Sequence, residues 1–196
     1  MRAAERNNYK RGWFRRRARA LRQRRFIFVD ETAVNAAMTR RYGRAPKGER
    51  AHDAAPRNYG THTSVIGAMG LRGLVAALTV EGAVDTDCFN AYAEQVLRPR
   101  LRSGDVVVLD NLTAHRASRI EEVAAERGAQ VLWLAPYSPD FSPIEQCWSK
   151  IKAYLRGVKA RTGGELNKAL AQAIGLVTKA DIRGWFKHCG YSLARE

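Results

Sequence analysis

Two short, uninterrupted apolar runs each stop at an acid. Phe26-Ile27-Phe28-Val29 ends at Asp30, and Val106-Val107-Val108-Leu109 ends at Asp110. Neither run alternates with polar residues and neither is long enough for a helix, so both read as strands covered on both faces. Strands of that kind belong to α/β sheets, which gather ligands beyond the strand ends. Both acids fall at that edge. A third acid, Glu145, opens the amphipathic stretch Ser142-Pro143-Ile144-Glu145-Gln146-Cys147-Trp148.

The remaining elements follow from periodicity and punctuation. A turn-rich stretch, 40–60, holds Gly43, Pro46, Gly48, Pro56 and Gly60 among many cations. Apolar segments at 64–69 and 74–80, joined by Gly70-Leu71-Arg72-Gly73, predict an antiparallel hairpin. A helix is expected over 87–98, with Thr86 or Asp87 as its cap and Pro99 as its stop. After the strand at 106–110 come a helix at 118–127 closed by Gly128, a strand at 130–134, and helices at 143–156, 165–178 and 180–188. A hairpin followed by alternating strands and helices predicts a mixed sheet with helices on its faces. Three units are expected: a basic arm at 1–25, helical near 13–21; an α/β body at 26–160; and a helical extension at 161–196 packed on that body.

Charge narrows the function. The chain of 196 residues carries a formal net charge of +15. Residues 1–25 hold eleven Arg or Lys against Glu5 alone. Such an excess suits a polyanionic partner, nucleic acid above all. Arg15, Arg16 and Arg17 in the arm are candidate DNA contacts. So are Arg40, Arg41, Arg44, Lys47 and Arg50 in the turn-rich stretch, and Lys152 and Arg156 beside Glu145. Cys88, Cys147 and Cys189 form no CxxC pair, and no apolar run reaches the ~18 residues that span a membrane. A cytoplasmic, nucleoid-associated protein is the expectation. His52, His62 and His188 lack ligand spacing, and Trp133 and Trp148 are expected in the core.

Each acid also has a purely structural reading. Asp30, with Asn35 nearby, and Asp110, beside Asn111, suit turns. Ser142 as N-cap, Pro143 at the first helical position and Glu145 at the third would complete a capping box. Glu145 lies about 90° from the centre of the apolar stripe Ile144, Trp148, Ile151 and Leu155, on the side of Lys152 and Arg156. What favours chemistry is the set. Three carboxylates at one sheet edge repel one another and need compensation. One or two Mg²⁺ or Mn²⁺ ions supply it, and two such ions ~3.5–4 Å apart support in-line displacement at phosphorus.

The segments Phe28-Val29-Asp30-Glu31-Thr32, Val107-Val108-Leu109-Asp110-Asn111 with Ala114-His115, and Pro136-Tyr137-Ser138-Pro139-Asp140-Phe141-Ser142-Pro143-Ile144-Glu145 resemble the three catalytic motifs of DDE transposases. The likeness is to the mariner-like superfamily, in its bacterial insertion-sequence branch (insertion sequence 630 type). Thirty-four residues, 111–144, separate Asp110 from Glu145, as in that branch. The ending Trp185-Phe186-Lys187-His188-Cys189-Gly190-Tyr191 is similar too. Ala135 stands where the family often has a second proline, and Ser142 where it often has Asn.

The resemblance implies a ribonuclease-H-like fold: a mixed five-stranded sheet flanked by helices, with extra C-terminal helices. It implies two Mg²⁺ or Mn²⁺ ions, with Asp30 bridging both and Asp110 and Glu145 each holding one. His115, Asn111 and Glu31 are accessory candidates. The implied reactions are cleavage at transposon ends and joining of the freed 3′-hydroxyl to double-stranded target DNA, usually at TA, by a homodimer on DNA. Members normally carry helix-turn-helix modules ahead of the catalytic domain. Nothing before Asp30 has room for them, so an upstream helix-turn-helix polypeptide of a split or frameshifted element is a further expectation. A structure-selective nuclease on the same fold and a non-catalytic DNA-binding subunit are the competing readings.

Overall fold

The computed structural model describes residues 6–58, 60–111 and 119–193. Strands β1 (Phe26–Val34), β2 (Thr63–Gly70), β3 (Gly73–Glu81), β4 (Val106–Leu109) and β5 (Gln130–Trp133) form one sheet in the order β3-β2-β1-β4-β5. β1, β2 and β3 pair antiparallel, while β1–β4 and β4–β5 are parallel, so the sheet is mixed as the element order implied. The helices are α1 (Asn8–Arg19), α2 (Thr86–Ala91), α3 (Ile120–Glu126), α4 (Pro143–Val158), α5 (Gly163–Gly175) and α6 (Lys179–His188).

Side-chain parity divides the core in two. Phe26, Phe28, Val65, Met69, Val106, Val108 and Leu132 face one side, under α1, α4, α5 and α6. Ile27, Val29, Ile66, Ala68, Val107 and Leu109 face the other, under Phe89, Tyr92, Leu97, Ile120 and Val123. That two-sided burial is why the strand sequences are continuous apolar runs.

β1 is longer than the sequence suggests. It runs through Asp30 to Val34 because β2 keeps pairing with it up to Val34–Thr63, long after parallel pairing with β4 has stopped at Phe28–Val108. Asp30 therefore stands inside a strand, at the point where one neighbour has ended. The helix expected over 87–98 is also not uniform. Asp85, not Thr86 or Asp87, caps α2 by accepting from the Cys88 N–H, and the chain continues as a π-helical turn, Tyr92–Leu97, then a 3₁₀ turn, Arg98–Arg100. Trp133 is only half-buried, its indole N–H donating to Glu121 Oε1 at 2.8 Å, so it is no core residue. α5 and α6 carry full capping boxes, Thr162 with Glu165 and Thr178 with Asp181.

The cationic N-terminal segment does more than present charge. In α1, Phe14 is buried and stacks on Phe141 with ring centroids 5.3 Å apart. Arg11 is buried as well, donating to Ser138 Oγ at 2.6 Å and to both oxygens of Asp140 at 2.9 and 2.5 Å. Its guanidinium lies 4.0 Å over the Phe141 ring, and the Tyr191 hydroxyl donates to the Phe141 carbonyl. The loop leading into α4 is thus braced from the chain's two ends. The Arg11 guanidinium holds the Asp140 carboxyl below the usual carboxylate range. A depressed acid pKa contributes stability above the unfolded value, near 4, that is lost as pH falls through the folded one. Arg11→Ala should cost about 2 kcal/mol, a value that respects the half-exposed Asp140 partner. Urea melts at pH 7 and pH 3 check this: the parent–mutant difference should shrink at the lower pH.

Candidate active site

Register and parity bring the acids together. Phe28 of β1 pairs with Val108 of β4, and both point to the α4 face. Two residues further along each strand direction stand Asp30 and Asp110. Parallel pairing has stopped by that level, but the Asp110 charge still acts on Asp30. α4 crosses the same face and brings Glu145 in its first turn. Asp30, Asp110, Asn111 and Glu145 line one cleft of about 430 Å³, closed by Leu134, Ala135, Pro136 and Tyr137. Tyr137 takes a left-handed backbone, φ 52°, a conformation that costs a non-glycine residue ~1 kcal/mol or more and is concentrated at functional loops.

The capping reading of Glu145 does not hold. Ser142 occupies the N-cap of α4 but makes no side-chain capping hydrogen bond, and it is buried against the core instead. The helix start is set by Pro143, and its end by Lys159, left-handed at φ 58°. The Glu145 side chain is exposed at the cleft rim, as a ligand-binding carboxylate would be.

Electrostatics express the crowding. Burial, then the charges of Glu145, Glu31 and Asp110, push the Asp30 carboxyl up to about 8. Loss of hydration also raises Glu145, with Lys152 opposing and Asp110 adding. Burial and then Arg156 lower Lys152, while Glu145 and Asp30 act to raise it. For Asp30 the linkage sign is the reverse of Asp140: the fold retains a proton that the unfolded chain has lost, so stability falls as pH rises from near 4 to about 8. In chelator, Asp30→Asn should therefore melt higher than the parent at pH 8.5, with the gap narrowing toward pH 5. Thermal melts across that range test the sign, and an equal or lower melting point at pH 8.5 contradicts it.

Of the accessory candidates, Glu31 is half-buried and acts on Asp30 through its charge. Asn111 lines the cleft and donates its amide to the Leu134 carbonyl. His115 lies outside the described residues. Arg15, Arg16, Arg17, Arg40, Arg41, Arg44, Lys47 and Arg50 are all exposed, whereas Lys152 and Arg156 are half-buried, Lys152 within reach of the Glu145 and Asp30 charges. The basic connection between β1 and β2 is anchored at its base. Arg161 donates to the carbonyls of Ala36, Met38 and Ala54, and Lys159 pairs with Asp53 at 2.7 Å. One participant was not legible as such: Trp148, placed in the core by its stripe, donates its indole N–H to Asp30 Oδ2 at 3.0 Å.

The residues present fit a hard divalent cation. Asp30, Asp110 and Glu145 offer carboxylate oxygens on one cleft, and their mutual repulsion, which raises the Asp30 carboxyl, calls for a compensating positive charge. Among the described residues no three Asp, Glu, His or Cys side chains stand close enough to form a metal cage by themselves. Water and phosphate oxygens would have to complete any coordination shell, which is the usual habit of Mg²⁺.

A sequence profile of the DDE superfamily endonucleases matches residues 25–167, most of the chain and all three acids. The chain belongs to that family. It is thus a member of the DDE class of enzymes, and Asp30, Asp110 and Glu145 all fall inside the matched stretch. The Tcb2 transposable-element transposase of Caenorhabditis briggsae is 29% identical over 90 residues, which are 44% of this chain and 33% of that protein. A pre-cleavage Mos1 transpososome superposes with a TM-score of 0.72 at 16% identity, over 96% of this chain and 62% of that one. A Mos1 paired-end complex solved with Mn gives 0.67 at 19% identity, over 96% and 62%. The Mos1 catalytic domain alone gives 0.61 at 15% identity, over 93% and 85%. These likenesses establish the ribonuclease-H-like fold. The chain spans about a third of the length of Tcb2 and about three fifths of the Mos1 chain in the transpososome. Among the described residues no helix is long and apolar enough to cross a membrane.

Proposed function

We propose that this DDE-family domain is the catalytic part of a cut-and-paste transposase of the bacterial insertion-sequence branch. On this reading residues 26–160 form the catalytic body, with 161–196 packed on it. The observation that carries the proposal is the single cleft lined by Asp30, Asp110 and Glu145 with cations on its flanks. Asp30, Asp110 and Glu145 would hold Mg²⁺ or Mn²⁺, as two ions. When bound, such ions activate an attacking oxygen and stabilise a leaving one in an in-line displacement at phosphorus. The chain's own residues do the rest. The three carboxylates fix where the scissile phosphate sits, Lys152 and Arg156 offset phosphate charge beside them, and Asn111 shapes the cleft floor.

The DNA path follows from the same surfaces. The cleft adjoins a hollow of about 530 Å³ lined by Tyr9, Lys10, Trp13 and Trp133, with which it shares Asn111 and Pro136. Exposed Arg15 and Arg16 continue outward along α1. Duplex DNA of the element ends, and a TA-containing target, are the proposed partners, bound by a homodimer together with an upstream helix-turn-helix polypeptide. Related Mos1 structures hold Mn or Mg and are described as paired-end and strand-transfer complexes.

Incubating the chain with labelled element-end duplexes and Mg²⁺ or Mn²⁺ tests the reading. Nicking plus joined products is the expected result; nicking without joining favours a plain nuclease, and neither reaction with either ion removes the proposal. Replacing Arg40, Arg41 and Arg44 together by Ala should weaken binding to all sequences alike. It should also make the slope of log K against log salt shallower by about 2–3, which a salt titration by fluorescence anisotropy measures.

A further inference from the structure

We infer that Trp148 is a positioning residue for Asp30, and that Gly67 stands where it does to admit the Trp148 ring. The inference rests on the metal-binding reading of Asp30. Trp148 is one of the buried residues of the α4 stripe, only 3% exposed, and its indole N–H reaches across to Asp30 Oδ2 at 3.0 Å. A stripe position needs only an apolar side chain, and Phe or Leu would fill it. Indole alone among large apolar groups adds a fixed donor that cannot accept.

The sheet is shaped to receive it. Asp30 and Gly67 are direct partners in the β1–β2 register. A Cβ on Gly67 would lie 2.5 Å from Trp148 Cη2 and 2.9 Å from Cζ2, so any side chain at that position forces the ring or the strand to shift. The glycine opposite Asp30 thus opens the strand surface for the indole that grips Asp30. Because Glu145 and Trp148 share α4 one turn apart, one helix delivers a candidate ligand and the donor that orients another. A shift of α4 would move both together. With Oδ2 accepting from the indole and the carboxyl also accepting from the Glu31 backbone N–H, the group is held against rotation. Groups that orient a ligand from behind in this way typically affect metal affinity by about 10- to 100-fold.

The test is Mn²⁺ binding, followed by electron paramagnetic resonance, to the full chain in the presence of an element-end duplex. Four proteins are compared with the parent: Trp148→Phe, Gly67→Ala, Asp30→Asn, and a chain with 3-benzothienylalanine at 148, which replaces only the N–H by sulfur. Both variants at 148 should bind Mn²⁺ about 10- to 100-fold more weakly than the parent. The benzothienyl chain should do so with an unchanged circular dichroism spectrum and melting temperature. Gly67→Ala should resemble Trp148→Phe. If the benzothienyl chain binds Mn²⁺ as the parent does while Asp30→Asn does not, the positioning role is overturned and the metal reading stands. If Asp30→Asn binds like the parent, the metal reading itself falls, and the inference with it.

Discussion

Asp110→Asn should stop Mg²⁺-supported nicking and joining, lowering the rate by at least about a thousandfold, while DNA affinity at fixed salt stays within about twofold. The substitution keeps the side chain's shape and one acceptor oxygen but removes its negative charge. That charge is what places Asp110 among the groups acting on Asp30 and Glu145. Neutralising it relieves repulsion on Asp30 and Glu145. DNA affinity should persist because it is spread over many exposed cations. Gel assays of cleavage alongside anisotropy of the same preparation separate the two effects. A mutant that binds and cuts like the parent removes Asp110 from the chemistry.

Phe186→Ala should cost about 4 kcal/mol, roughly 10 °C in melting temperature for a domain of this size. Phe186 on α6 is fully buried. Its ring meets Phe28 edge-on at 5.4 Å between centroids and Tyr191 at 5.8 Å, and Tyr191 in turn meets Phe26 at 5.6 Å. This cluster fastens the last helix to β1 immediately before Asp30. The cavity left by truncation cannot collapse easily, because Phe26 and Phe28 are fixed in the sheet and Tyr191 is held by its bond to the Phe141 carbonyl. Leu at 186 should recover much of the loss. Denaturant melts with both variants measure this, and a cost below about 1 kcal/mol for Ala would mean that α6 is not fastened through this ring.

The parallel strands were legible because burial on both faces leaves only apolar residues, as in Val106–Leu109. The extension of β1 beyond Asp30, through Glu31 and Thr32, was not. Those residues look like a turn, and only pairing with a distant β2 keeps them extended. Glu145 shows a different limit. Ser-Pro-Ile-Glu fits a capping box and a ligand-bearing helix start equally well, and the choice turns on Ser142 being buried without capping, a tertiary fact. Arg11 is indistinguishable in sequence from the solvent-exposed arginines around it, since its burial depends on Asp140 and Ser138 more than a hundred residues away. Trp148 follows the same logic, as periodicity places its ring in the core but cannot report where its N–H points. The π-helical turn at Tyr92–Leu97 carries no local signature at all.

Crystals soaked in MnCl₂ offer the most direct measurement, through the anomalous scattering of manganese. The expected map has a peak at coordination distance, about 2.1 Å, from carboxylate oxygens of both Asp30 and Asp110, and a second peak shared with Glu145 once DNA is bound. Anomalous density absent from that cleft, with manganese ordered elsewhere on the molecule, would contradict the shared-cation site and with it the phosphoryl-transfer function.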